Sequence, residues 1–236
     1  MTKRRIGLLG GTFDPIHAGH LGVAAAAERA LQLTQVLVIP ANVPPHRPKP
    51  LTSGFHRFAM VALAVAGRRG WRASDLELRY EAPSYTVTTL RRFQERGYEP
   101  SELFFLIGAD AFRDISTWRD FPSILDRAHF AVVSRPGRPV AALREHLPAL
   151  AARMVDADDG VVPAKPSIIL VNEATADVSS TAIRASISRG EGIDGLVDPR
   201  VQQHIEQHGL YRFGTTDRRS TLGLGSTPAG RLHGQD

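Results

Sequence analysis

The stretch GLLGGTFDPIHAGHL, Gly7 to Leu21, begins as a short apolar run, turns at paired glycines and an Asp-Pro, and ends with His17 and His20 three residues apart. An apolar run that breaks at glycines and resumes as an alanine-rich helical pattern is the opening of a β-α-β unit. RRIGLLG reads as the first buried strand, AGHLGVAAAAERALQL as the helix and QVLVIP as the second strand. Working outward, FHRFAMVALAVAG reads as a second helix, ASDLELR alternates like a strand, and TVTTLRRFQERG reads as a third helix ending at Gly97.

ELFFLIG and HFAVVSR then read as buried parallel strands, SIILV as a fifth or sixth, and STAIRASISRG and DPRVQQHIEQHG as the last helices. Strands separated by helices at this spacing predict an α/β fold, a doubly wound and mostly parallel Rossmann-like sheet with a small C-terminal helical part. Ligands in such a fold belong at the carboxyl ends of the strands. One domain is expected over residues 1–213. From Gly214 the chain is rich in Gly, Ser and Thr without helical or strand period, which predicts a disordered tail over 214–236.

Composition narrows the function classes. The 236 residues contain no cysteine, which excludes disulfides, thiolate metal sites and thiol nucleophiles. No apolar run reaches the roughly 18 residues of a membrane span. The basic start is broken at glycines too early for a signal peptide, so a cytoplasmic protein without membrane partners is expected. The net charge of +5 favours anionic ligands. Its basic residues are scattered among acids rather than gathered with aromatics, which argues against a nucleic-acid partner.

The glycine loop suggests a phosphate site, yet neither familiar pattern fits. Gly7, Gly10 and Gly11 lack the G-x-G-x-x-G spacing of a dinucleotide-dependent dehydrogenase, and no Gly-Lys-Ser/Thr follows. If the helix begins near Ile16, His17 and His20 share a face of its first turn and point at one ligand. A capping pair and a zinc site with Asp14 are the other readings; the latter lacks a further ligand nearby. A helix N-terminus with two imidazoles suits phosphate oxygens, and at a side-chain pKa near ~6.5 the rings would become charged beside a polyphosphate.

GGTFDPIHAGH resembles the signature of the H-x-G-H nucleotidyltransferase superfamily, whose members move a nucleoside monophosphate from a triphosphate to an acceptor. A second signature should lie late in the chain, and DVSSTAIRASI supplies it. Ser179, Ser180 and Thr181 open a helix and Arg184 follows one turn inside, on the face of Ser180. It is similar to the family's I-S-S-T-x-I-R, with Val178 in place of Ile. The resemblance implies ATP binding by Gly10, Gly11, Thr12, Phe13, His17, His20, Ser179, Ser180, Thr181 and Arg184, with His17, His20 and Arg184 catalytic.

Three further segments resemble the bacterial nicotinate-nucleotide adenylyltransferases. PANVPPHRPKP displays His46 and Arg47 in a proline-stiffened loop, EAPSYTVTTL carries Ser84, Tyr85 and Thr86, and IGADAFRDISTW carries Asp110 and Trp118. With Arg135 of the R-P-G turn, these are the implied acceptor-binding residues; Arg119 stands where the family often has an aromatic residue. The implied reaction takes AMP from ATP to nicotinate mononucleotide, giving deamido-NAD and pyrophosphate. Mg²⁺ is expected on the ATP phosphates rather than in a protein metal site, and a homo-oligomer is compatible with the sequence. The alternatives are another acceptor, such as nicotinamide mononucleotide, phosphopantetheine or glycerol phosphate, and a non-catalytic nucleotide- or RNA-binding protein. Asp14 is assigned to the loop's architecture first and to ligand contact second.

Overall fold

The computed structural model describes residues 4–45, 49–158 and 160–212. Its strands are β1 (Ile6–Gly11), β2 (Gln35–Pro40), β3 (Trp71–Ala73), β4 (Leu103–Gly108), β5 (His129–Val133), β6 (Met154–Asp156) and β7 (Ile168–Val171). They form one seven-stranded sheet in the order β3-β2-β1-β4-β5-β7-β6, and every pairing is parallel. The helices are α1 (Ala18–Leu31), α2 (Gly54–Val65), α3 (Thr86–Gln94), α4 (Ala109–Phe112), α5 (Leu143–His146), α6 (Ser180–Ser188) and α7 (Pro199–Gln207).

A parallel sheet needs cover on both faces, and its strands are therefore apolar throughout rather than alternating. Along β1, Leu9 enters one hydrophobic core while Ile6 and Leu8 enter the other. The first core is covered by α1, α2, α6 and α7 through residues such as Ala24, Met60, Ile183 and Val201; the second is covered by α3 and α4 through Leu90 and Phe112. The strand order reverses between β1 and β4. Doubly wound sheets open their ligand crevice at such a switch point, here beyond Gly11 and Gly108.

Helix starts follow local chemistry. Ser53 caps α2 by accepting from His56 N at 3.3 Å, Ser179 caps α6 by accepting from Ala182 N at 3.2 Å, and Asp198 caps α7 ahead of Pro199. The departures from the sequence reading are local. ASDLELR is not a strand: β3 is Trp71–Ala73, and the residues after it form a turn in which the neighbours Leu76 and Glu77 are both buried. An alternating strand would send those two to opposite faces.

Strand β6 was not expected; three residues at a sheet edge carry too little period to read. α1 starts at Ala18 rather than near Ile16, which makes His17 its N-cap. The tail expected over 214–236 lies outside the described residues. Among the described residues no helix is long and apolar enough to cross a membrane.

Candidate active site

The loop that leaves β1 is braced from three directions. Gly11 leaves no room for a side chain, since a Cβ there would sit 2.8 Å from the ring of Phe13, which is 1% exposed. Phe13 itself takes the left-handed backbone region at φ 51°. Beneath the loop, the buried Arg57 guanidinium donates to the carbonyls of Thr12 at 2.8 Å, Ala41 at 2.6 Å and Thr52 at 3.3 Å. Arg57 thus joins the loops after β1 and β2 to the start of α2. Burial lowers its pKa from the usual arginine value, while Asp14 and Tyr211 act the other way.

Asp14, only 4% exposed, uses both carboxylate oxygens within the protein. It accepts from Leu51 N at 2.7 Å, from the Thr52 hydroxyl, and from the Tyr211 hydroxyl at 2.6 Å. Burial and the neighbouring Asp14 carboxylate push the Tyr211 phenol well above its usual pKa, so it remains a donor. The end of the described chain is in this way fastened to its first loop.

His17 and His20 meet face to face, with ring centroids 3.7 Å apart and planes 25° from parallel. The edge of Phe13 supports His20 at 5.0 Å. His17 is 3% exposed, and its Nδ1 is buried without a hydrogen-bond partner among the described residues. Burial first, and the positive charge of Arg135 second, lower its pKa to about 4. Without a polyphosphate beside it, His17 is therefore held in the neutral form at physiological pH.

Gly19 lies between these groups. A Cβ there would come within 3.1 Å of the His17 ring and 2.8 Å of Arg135 Nη1. Arg135 spans the gap between α1 and the segment ahead of α6, donating to the carbonyls of Gly19, Ala176 and Val178 at 3.3 Å each.

The late motif closes on the early one. Ser180 Oγ donates to the Pro15 carbonyl at 2.9 Å, and Arg184 Nη1 donates to the Asp14 carbonyl at 2.7 Å. The other arm of Arg184 lies 3.5 Å from Thr181 Oγ1, while Ser179 and Thr181 remain exposed at the helix start. Two segments some 165 to 170 residues apart therefore form one rim of the β1 crevice.

The other rim carries the residues read as acceptor-binding. Asn42 N donates to Ser84 Oγ and Ser84 N donates to the Val43 carbonyl, both at 2.9 Å, so the Pro83–Ser84 turn is sewn to the loop after β2. Tyr85 is the N-cap of α3, under the Arg119 guanidinium at 4.8 Å, and Thr86 is the first helical residue. Behind them the buried Glu77 accepts from Thr89 Oγ1 at 2.5 Å, and burial raises its carboxyl pKa. Trp118 is half-buried with Phe105 edge-on at 5.8 Å.

Asp110 and the stem of Arg135 flank Gly108 at the end of β4, where a Cβ would lie 2.5 Å from Asp110 Oδ1 and 3.1 Å from Arg135 Cγ. His46 and Arg47 lie outside the described residues. Tyr85 and Trp118 pack on the second core, and Phe13 and Ile16 belong to the first.

Arg57, Thr52 and Tyr211 had not been singled out from the sequence. Arg57 left one trace, a lone charge in the otherwise apolar FHRFAMVALAV, whereas Tyr211 left none. Among the described residues, the only cluster of three or more His, Asp or Glu side chains close enough to share a cation is His56 on α2, His204 in the last turn of α7 and His208 at that helix's C-cap.

A parallel sheet whose switch point is rimmed by paired imidazoles and a hydroxyl- and guanidinium-bearing helix start defines a nucleotidyltransferase, and residues 8–186 match the cytidylyltransferase-like family. Within that class the chain belongs to the nicotinate-nucleotide adenylyltransferases. It is 37% identical over 208 residues to the "Nicotinate-nucleotide adenylyltransferase" of Salmonella typhimurium strain LT2, an alignment covering 87% of this chain and 97% of the relative. It is 40% identical over 214 residues to the "Probable nicotinate-nucleotide adenylyltransferase" of Roseiflexus sp. strain RS-1, covering 90% and 100%.

The fold is shared with the Plasmodium falciparum nicotinic acid mononucleotide adenylyltransferase complexed with NaAD, at a TM-score of 0.65, 18% identity and coverage of 88% and 97%. The same protein complexed with APC gives a TM-score of 0.64 at the same identity and coverage.

Proposed function

We propose that this protein transfers the adenylyl group of ATP to nicotinate mononucleotide, forming deamido-NAD and pyrophosphate as a step of NAD biosynthesis in the cytoplasm. The observation that carries this reading is the closure of α6 on the first loop, Ser180 on Pro15 and Arg184 on Asp14. It gathers the paired histidines, the helix-start hydroxyls and a guanidinium along one rim, in a chain whose relatives bear that activity in their names.

The chemistry asks little of the protein beyond position and charge. An oxygen of the acceptor phosphate attacks the α-phosphorus, the bond from that phosphorus to the oxygen bridging the β-phosphate breaks, and pyrophosphate leaves with the electron pair. A phosphate monoester with a second pKa near ~6 is largely a dianion at neutral pH and needs no base. The site agrees, since Asp14 has both oxygens engaged by protein donors. What remains is stabilisation of the charge that builds on the α- and β-phosphates, for which His17, His20 and Arg184 serve as donors.

The glycines let the chain approach the nucleotide, and Ser179 and Thr181 add hydroxyls at the β- and γ-phosphates. On the opposite rim Asp110 suits a ribose hydroxyl, and Tyr85 and Trp118 suit the pyridine ring; the chemistry of His46 and Arg47 suits the acceptor's phosphate. The donor set fits Mg²⁺ carried by the nucleotide: among the described residues no carboxylates gather at the rim closely enough to share a cation, and Mg²⁺ readily takes substrate phosphates and water as ligands. When bound, that ion neutralises charge on the leaving pyrophosphate.

The experiment is pyrophosphate release from Mg-ATP with nicotinate mononucleotide, nicotinamide mononucleotide or no acceptor, for wild type and His20→Ala. Release with the nicotinate acceptor, falling by about 10² to 10³ in the variant, is expected. No release with any mononucleotide would overturn the reading, and equal release with both pyridine acceptors would remove the acid preference.

A further inference from the structure

The last helix carries a feature that the nucleotide site does not use. His204 and His208 are four residues apart at its end, hence on one face, and four-residue spacing lets two imidazoles bind a single cation. That face meets α2, whose first turn brings in His56. His56 Nδ1 lies 3.1 Å from His204 Nε2, and the three ring centroids are 4.4, 4.9 and 5.3 Å apart. One nitrogen from each ring lies within 4.8 Å of the others.

We propose that His56, His204 and His208 form a binding site for one Zn²⁺ ion, which clamps α7 onto α2. Tetrahedral zinc with Zn–N bonds of 2.0–2.1 Å sets its ligand nitrogens ~3.3–3.4 Å apart. The 3.1 Å pair needs almost no adjustment, and the widest separation closes with small rotations of side chains that are half-buried or, for His208, exposed. Three neutral imidazoles with no thiolate and no carboxylate select a late first-row metal rather than Mg²⁺ or Ca²⁺, which prefer oxygen. The exposed side leaves the fourth position to water and gives the ion a way in.

The imidazoles are held together independently of any ion. Val201 and Ile205 of α7 and Met60 and Val61 of α2 belong to the same buried core, so the helices dock through apolar contacts that fix the spacing of the three rings. The clamp reaches the first loop through Tyr211, three residues beyond His208, whose hydroxyl holds Asp14.

The test uses the untagged full-length chain, stripped with chelator and titrated with Zn²⁺ against a chromophoric chelator, and separately with Co²⁺ followed by visible absorption. Wild type should take up one equivalent of Zn²⁺ at micromolar protein, show the visible bands of a tetrahedral Co²⁺ site, and melt at a higher temperature with Zn²⁺ present. His208→Gln, at an exposed position, should lose all three responses while keeping the wild-type circular dichroism. His20→Asn should keep all three, which separates this site from the stacked pair at the nucleotide rim. Uptake that survives in both His208→Gln and His204→Gln, uptake that disappears in His20→Asn, or only weak binding at several equivalents would each overturn the proposal.

Discussion

The Arg184 guanidinium donates a hydrogen bond to the Asp14 backbone carbonyl at 2.7 Å, across 170 residues of chain. The bond fixes one arm of the fork on the first loop and leaves the other 3.5 Å from Thr181 Oγ1 at the start of α6. A lysine has no fork with which to hold that geometry. Arg184→Lys is expected to lose about 10² in kcat/KM for ATP, the scale of one misplaced charge-stabilising donor. Its unfolding free energy should fall by no more than about 1 kcal/mol, the net value of one hydrogen bond. Pyrophosphate release and denaturant titration measure the two; wild-type kcat/KM in the variant would contradict the assigned role.

The depressed pKa of His17 sets a pH dependence with a definite sign. A folded-state value of about 4 against 6.5 means that the unfolded chain binds the proton more readily between those pH values. Stability due to this group is present above pH 6.5 and is lost as pH falls toward 4, amounting to about 3 kcal/mol over the window. In His17→Asn that portion of the acid sensitivity should vanish, as read from unfolding free energies measured between pH 4 and 7. Bound ATP should raise the imidazole's titration midpoint in an NMR experiment, because a polyphosphate opposes the effect of Arg135.

Removing the Tyr211 hydroxyl leaves Asp14 Oδ1 short of one donor at a position that water barely reaches. Tyr211→Phe should cost about 1–3 kcal/mol of unfolding free energy. Calorimetry and urea titration would both register it, and an unchanged midpoint would mean that solvent replaces the phenol.

Arg57 brings together three loop carbonyls that have no other fixed partner in common. Arg57→Met keeps much of the apolar stem and removes every donor, so the carbonyls of Thr12, Ala41 and Thr52 lose their bonds together. A loss of at least about 3 kcal/mol is expected. The first loop should also become more exposed to amide hydrogen exchange, in segments 12–14 and 41–42, while the distant β6 and β7 stay protected.

Local signals carried most of the fold. QVLVIP coincides with β2, and the Ser179 and Asp198 caps mark where α6 and α7 begin. The same holds for the paired motifs, because GGTFDPIHAGH and SSTAIR each set their geometry within a turn or two. What could not be read depends on partners far away in the chain. Leu76 and Glu77 look like alternating strand residues until the Thr89 hydroxyl is seen to bury the glutamate. Nothing near Tyr211 tells that its hydroxyl faces a carboxylate 197 residues earlier. His17 looked ready to titrate near neutrality because its burial is a property of the assembled crevice rather than of its neighbours in sequence.

The Tyr211–Asp14 bond also orders events in time. The Asp14 carboxylate is fully met only when Tyr211, 197 residues further along the chain, is in place. A chain cut short anywhere before that tyrosine would present the glycine loop and both histidines with the loop's footing incomplete.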